Sequence, residues 1–229
     1  MGTREVWVTP ERIAGWIARF GDSHGGYVAA RTDQTLDLVA GDGEVARLAL
    51  PGQATPPNGD DAVAAFVSTA TEPRVLGLLL IRRGGYSVGI ADGATIVAHR
   101  SGTRYLQGRT AAGGWSQQRF ARRRANQAKA GLDKAREAIV DVVLPRVADL
   151  DEVVAAGERQ AVREVLSDPH VQVLNGLLRQ DMVPSGKANF AALGDLHTRA
   201  RSVSVLLTTQ PTAPGEAGSD VPVAVADEV

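Results

Sequence analysis

The sequence predicts an α/β (α+β) protein with a mixed β-sheet, a long basic helix and a small α+β segment at its N-terminus. Short β-type runs separated by glycine turns fill residues 75–100, and a helical pattern rich in arginine covers residues 115–143. Helix-type and strand-type segments then alternate to residue 207. This order favours a sheet with antiparallel and parallel neighbours, because hairpins join antiparallel strands and crossover helices join parallel ones.

The N-terminal segment, residues 1–70, predicts one helix, two β-type runs and a second helix. Apolar residues at helical spacing predict the first helix over 10–20, and the β-type runs follow over 27–30 and 36–50. The Pro- and Gly-rich stretch that follows marks the boundary to the next domain. Asp60 or Asp61 is expected to cap the second helix.

The second segment, residues 71–208, predicts the main sheet and the helices packed on it. Strands over 75–83, 86–92 and 94–100 are expected to be joined by turns at Gly84-Gly85 and Asp92-Gly93. The first strand is almost wholly apolar, as expected for a strand covered on both faces. Such a meander followed by a helix suggests a ribonuclease-H-like fold. Because this strand carries no carboxylate to hold the two cations of a nuclease, nuclease chemistry is not expected.

The long helix is predicted to have an apolar face and an opposite basic face. Its apolar residues fall within an arc of about 140° at 100° per residue; they are Phe120, Ala128, Leu132, Ala135, Ile139, Val142 and Val143. A strand over 150–155, a helix over 158–166 and a last strand over 202–207 follow. Residues 209–229 carry four acids and no base, which predicts a disordered acidic tail.

Composition and charge exclude several classes of function and favour another. The 229 residues include no cysteine and four widely separated histidines, which excludes thiol catalysis and thiolate metal sites. No apolar run is long enough to cross a bilayer, and the N-terminus has no secretory signal, so a cytoplasmic protein is expected. The net charge is −1, yet residues 93–132 carry eight bases and no acid. This local excess predicts a surface that binds a phosphate backbone, although a solvated basic helix without a partner would have the same composition.

A glycine-rich motif comes directly before the basic helix. Gly113 and Gly114 allow the backbone to approach a ligand closely, and the helix start offers unpaired amides to an anion. Ser116 is a candidate N-cap of a plain surface helix, a role compatible with function. The glutamines that follow can orient a water molecule without a charged base. The residues expected to neutralise RNA phosphates are Arg109, Arg119, Arg122, Arg123 and Lys129.

These residues resemble the middle, catalytic domain of archaeal and eukaryotic class I release factors. Gly113, Gly114 and Ser116 match the loop of that domain, and residues 119–122 match its RFAR helix start. Trp115 stands at the position of the family's glutamine, but Gln117 restores a glutamine two residues later. This arrangement is similar to that of the Vms-like release factors, in their bacterial (actinobacterial) branch. The resemblance covers about residues 75–208.

The resemblance implies a peptidyl-tRNA hydrolase of ribosome rescue and quality control. It would cleave the ester between the nascent peptide and the tRNA on a stalled large ribosomal subunit, with Gln117 positioning the water and Gln118 as the second candidate. The expected partners are the large subunit, its rRNA and the acceptor end of peptidyl-tRNA. The resemblance implies no metal and no other cofactor, and we expect a monomer.

Two other functions remain open from the sequence. The first is a non-catalytic module that binds the ribosome or RNA through the same loop, as in ribosome-rescue relatives whose middle domain lacks the glutamine. The second is a nuclease that cuts tRNA near its 3′ end, which the missing carboxylates disfavour.

Overall fold

The computed structural model describes residues 2–32, 34–52, 54–57, 61–103, 115–180 and 187–209, and these residues contain two five-stranded sheets. The elements of the first half are β1 (Thr3–Val8), α1 (Pro10–Ser23), β2 (Tyr27–Arg31), β3 (Thr35–Ala40), β4 (Glu44–Ala49), α2 (Ala62–Thr71), β5 (Val75–Arg82), β6 (Gly85–Asp92) and β7 (Thr95–Thr103). The elements of the second half are α3 (Trp115–Val142), β8 (Glu152–Gly157), α4 (Arg159–Leu166), β9 (Leu178–Gln180), α5 (Phe190–Arg201) and β10 (Val203–Thr209), with 3-10 helices at Leu144–Asp149 and Gln172–Leu177.

The first sheet is antiparallel, with strand order β1-β10-β4-β3-β2. The apolar faces of α1 and α2, including Ile13, Ile17 and Phe66, pack on one side of it. Asp61 is the N-cap of α2, and its side chain accepts a hydrogen bond from the Ala64 amide at 2.9 Å, as predicted.

The last strand of the described chain completes this first sheet. β10 lies between β1 and β4, so its neighbours both come from residues 1–70. The sequence pattern groups this strand with residues 71–208 and does not predict β1. Thr3 pairs with Thr208 across almost the whole chain length, and no local pattern specifies a pairing over such a distance.

The second sheet is mixed, as predicted, with strand order β7-β6-β5-β8-β9. β5, β6 and β7 form the expected meander, and β8 runs parallel to both β5 and β9. The central strand β5 is covered on both faces. Leu79 and Ile81 join the core beneath α3 and α4, whereas Leu76, Leu78 and Leu80 join the core beneath α5.

The two hairpin turns of the meander each differ by one residue from the prediction. The first consists of residues 83–84, and Gly85 is already part of β6. A Cβ at Gly85 would lie 2.8 Å from the Gly102 carbonyl oxygen. The missing side chain of Gly85 therefore lets β6 and β7 approach each other, and Gly85 is not a turn residue. The second turn consists of residues 93–94, where Gly93 adopts a φ of 53°.

Helix α3 buries the face that its sequence predicts. Among the predicted apolar residues, Leu132, Ala135, Ile139 and Val143 are buried beside the second sheet, and Ala128 and Val142 are half-buried. Ala138, which the prediction omits, is also buried. The Phe120 side chain lies outside the described residues.

A buried histidine anchors α5 to the turn between β6 and β7. The His197 Nε2–H donates to the Gly93 carbonyl oxygen at 3.0 Å. Burial lowers the pKa of His197 below its ordinary value of 6.5, although the bond to Gly93 partly opposes this shift. The unfolded chain therefore takes up this proton at a higher pH than the folded chain.

We expect the free energy of unfolding to fall as the pH drops through and below 6.5, because protonation of His197 favours the unfolded chain. One such group contributes a slope of at most about 1.4 kcal/mol per pH unit. His197→Gln, which can still donate to Gly93, should remove this part of the slope in urea unfolding measured from pH 8 to pH 5. Equal slopes in the two proteins would show that another group controls the acid response.

Candidate active site

The part of α3 around Gly131 lies against the end of the second sheet where β5 and β7 terminate. A Cβ at Gly131 would lie 3.4 Å from the Arg83 carbonyl oxygen in the first hairpin turn. A Cβ at Gly102 would lie 2.7 Å from the Tyr86 ring, so only a residue without a side chain leaves room for this ring next to β7. Gly131 and Lys134 line a cavity of about 240 Å³ together with Tyr86 and Gly102. Close glycine contacts thus hold α3 against the sheet at this point.

The N-terminal part of α3 extends past this end of the sheet. Leu132 is the first buried residue among the described side chains of the helix, and neither Arg122 nor any residue from 126 to 131 is buried. The sixteen residues from 115 to 130 span about 24 Å at 1.5 Å per residue. The start of α3 therefore lies far from the core that supports it.

The predicted site residues fall at the start of this projecting helix. Trp115, Ser116, Gln117 and Gln118 form its first turn, and the structure brings them together with the basic residues Arg119, Arg122, Arg123 and Lys129 on one element. Arg122 and Lys129 are exposed, and the other side chains named here lie outside the described residues. Gly113, Gly114 and Arg109 also lie outside the described residues.

Three ion pairs compensate charges in the supported half of α3. Lys134 contacts Glu137 at 2.6 Å, Arg136 pairs with Asp133, and Asp141 pairs with Arg100 of β7. The pair of Asp141 and Arg100 joins a helix to a distant strand, so the sequence could not predict it. This pair neutralises one of the eight bases of residues 93–132. Within the described residues, no ion pair is formed by Arg122 or Lys129. The projecting half therefore presents positive charge to whatever it contacts.

A metal site, a membrane-spanning helix and a serine nucleophile at position 87 find no support in the described residues. They contain no group of three or more His, Asp or Glu residues arranged to hold a metal ion. In the same part of the chain, no helix combines the length and the apolar character that a membrane span requires. Ser87, in the middle of β6, is fully buried, and its hydroxyl lies 2.6 Å from that of Ser101. This serine contributes to strand packing.

Comparison with known proteins identifies one family. A sequence model of the Actinobacteria/chloroflexi VLRF1 release factors matches residues 74–206, from the start of the second sheet to β10. No curated protein matches the chain.

Two solved archaeal structures share a limited likeness with the chain. The archaeal translation termination factor aRF1 has a TM-score of 0.37 and 14% identity, over 56% of this chain and 35% of that chain. A structure described as an archaeal protein has a TM-score of 0.38 and 13% identity, over 68% of this chain and 47% of the other. The match therefore spans less than half of either relative.

Proposed function

Because the chain belongs to the Actinobacteria/chloroflexi VLRF1 release factor family, we propose that it is a peptidyl-tRNA hydrolase acting on stalled large ribosomal subunits. The observation that carries the proposal is the projecting start of α3, where two glutamines precede a run of arginines. The substrate is the ester that joins a nascent peptide to the 3′-terminal adenosine of tRNA. Such a reaction would rescue the subunit in ribosome quality control.

In the proposed reaction, the Gln117 side-chain amide positions a water molecule beside the ester carbonyl. The water oxygen bonds to the carbonyl carbon and gives up one proton, the bond from that carbon to the ribose oxygen breaks, and the ribose oxygen takes up that proton to become a hydroxyl. Backbone amides at the start of α3 favour the negative charge that develops on the carbonyl oxygen. The products are a free peptide and an intact tRNA, and no metal or other cofactor takes part.

The shape and charge of α3 suit a site enclosed in RNA. A helix start about 24 Å from Leu132, the first buried residue among the described side chains of α3, can enter a narrow channel that the body of the protein cannot enter. Arg109, Arg119, Arg122, Arg123 and Lys129 would contact rRNA or the acceptor end of the tRNA. Gly113 and Gly114 would let the motif pass close to the RNA backbone. We propose that the protein acts as a monomer in the cytoplasm.

The decisive experiment measures peptide release from purified large subunits that carry peptidyl-tRNA. We expect the wild-type protein to free the peptide and to leave full-length tRNA. Binding without release would instead support the docking module, and end-labelled tRNA shortened at its 3′ end would support the nuclease. Either outcome would contradict the hydrolase proposal.

The basic face of α3 makes a separate prediction about salt. Replacing Arg122 and Arg123 together with alanine should weaken binding to large subunits about tenfold or more at low salt. The plot of log K against log salt has a negative slope, and each lost phosphate contact should make that slope shallower by about 0.7 to 0.9. Titrations of the subunit at several salt concentrations would measure both effects.

The matched control for this pair removes the same charge from another helix. Arg12 and Arg19 are exposed residues of α1, and their double alanine variant should bind with the wild-type salt slope. A flattened slope in the α1 variant, or an unchanged slope in the α3 variant, would show that α3 is not the face that meets RNA.

A further inference from the structure

A second surface, formed by α5 and β7, exposes an aromatic ring. Phe190, the first residue of α5, is 50% exposed although it is a large apolar residue. The centroid of its ring lies 4.2 Å from that of His99 in β7, with an angle of 34° between the planes. These two rings, which we call the Phe190 platform, belong to none of the buried apolar clusters.

The platform lies on the face of the second sheet opposite to α3, about halfway along β7. His99 is the fifth of the nine residues of β7, and α5 and α3 cover opposite faces of the sheet. Near the C-terminal end of α5, His197 bonds to Gly93 in the turn at one end of the sheet. Phe190, at the N-terminal end of α5, is therefore nearer than His197 to the end where α3 leaves the sheet. An RNA that receives the start of α3 must extend along β7 to reach the platform.

The size and charge of the platform favour a nucleobase as its occupant. One exposed ring, backed by a second ring, is far smaller than the area that a stable protein interface buries. It matches a single base, and stacking on an aromatic side chain accepts any base because each has a π-face. β7 contains no acidic residue and lies within the acid-free stretch of residues 93–132. Lys187, three residues before Phe190, is exposed at the same end of α5.

We propose that Phe190, supported by His99, stacks on one unpaired nucleobase of RNA while the start of α3 occupies its site. The proposal rests on the proposed function only in taking ribosome-bound RNA as the partner. His99 serves to hold the Phe190 ring in place, and the two elements that carry the rings are fixed in the folded protein. The platform adds affinity and orientation and takes no part in the chemical step.

The test compares variants of Phe190 in binding to large subunits, both vacant and carrying peptidyl-tRNA. We expect Phe190→Ala to bind about tenfold more weakly and Phe190→Trp to keep the wild-type affinity. Phe190→Leu, which is apolar but lacks a π-face, should bind as weakly as the alanine variant. Val173→Ala is the matched control, because Val173 is 57% exposed in a 3-10 helix away from the platform and its loss should not change binding.

The outcomes separate the sources of the base and the alternatives. A loss on vacant subunits assigns the base to rRNA, whereas a loss confined to subunits with peptidyl-tRNA assigns it to tRNA. Full affinity in Phe190→Leu would overturn base stacking in favour of apolar docking on a protein, and full affinity in Phe190→Ala would overturn the platform altogether. Thermal unfolding of each variant checks that the fold is kept. Because binding is measured without release, these comparisons remain decisive even if the wild type hydrolyses nothing.

Discussion

Gln117→Ala is expected to lower the rate of peptide release by about 100-fold or more while subunit affinity stays within about twofold of the wild type. The proposed role of this side chain is to position the attacking water, and the removal of one well-placed polar group from a reaction centre typically costs a factor of this size. Gln117 lies in the first turn of α3 and is not one of the apolar residues predicted to face the sheet, so the fold should not change. Single-turnover release and equilibrium binding on the same subunits measure both quantities.

Gln118→Ala is the matched control, one residue along the same helix turn. We expect it to release peptide within about tenfold of the wild-type rate. A loss confined to Gln118→Ala would keep the reaction and transfer the role to that residue. Full release by the double variant would mean that neither glutamine is catalytic, and the proposed mechanism would fail.

Glu152→Ala is expected to lower the free energy of unfolding by about 3 to 5 kcal/mol, the cost of removing one partner from a buried ionic group. The Glu152 carboxylate is buried at the start of β8 and accepts from Arg74 at 3.1 Å and from Arg179 at 3.0 Å. The side chains of the two arginines are only 20% and 22% exposed, so removal of Glu152 would leave two partly buried charges without this counterion. Urea unfolding at neutral pH measures the difference.

An exposed pair of the same chemistry supplies the control for Glu152. Arg146 and Asp149 contact each other at 3.1 Å in the first 3-10 helix, and both side chains are well exposed. Asp149→Ala should change stability by no more than about 0.5 kcal/mol, because solvent screens such pairs. Similar losses in the two variants would show that burial adds nothing to the Glu152 group.

Tertiary contacts explain why the loss of the Glu152 carboxylate is expected to lower the free energy of unfolding. Arg74 precedes β5 and also donates to the Pro51 carbonyl oxygen, while Arg179 belongs to β9 and donates to the Ala200 carbonyl oxygen of α5. The three charged residues come from positions 74, 152 and 179, and their spacing in the sequence resembles no motif. Only the parallel pairing of β8 with both β5 and β9 brings them together.

Features that depend on near neighbours follow from the sequence. The glycine turns predict the meander of β5, β6 and β7, because tight hairpins require residues that tolerate their backbone angles. The apolar spacing of α3 predicts which of its faces is buried, since that pattern is set within a few turns of helix. The motif of residues 113–118, which leads into the first turn of α3, is likewise visible in the sequence.

Contacts between distant segments become visible only in the folded chain. The tertiary structure placed β10 beside β1 and β4, neutralised Arg100 with Asp141, and set the ring of His99 against that of Phe190. It also showed that α3 leaves the sheet near Gly131, which separates its compensated half from its basic half. These contacts join residues up to about 200 positions apart, and their free energy depends on packing and burial that no local pattern encodes.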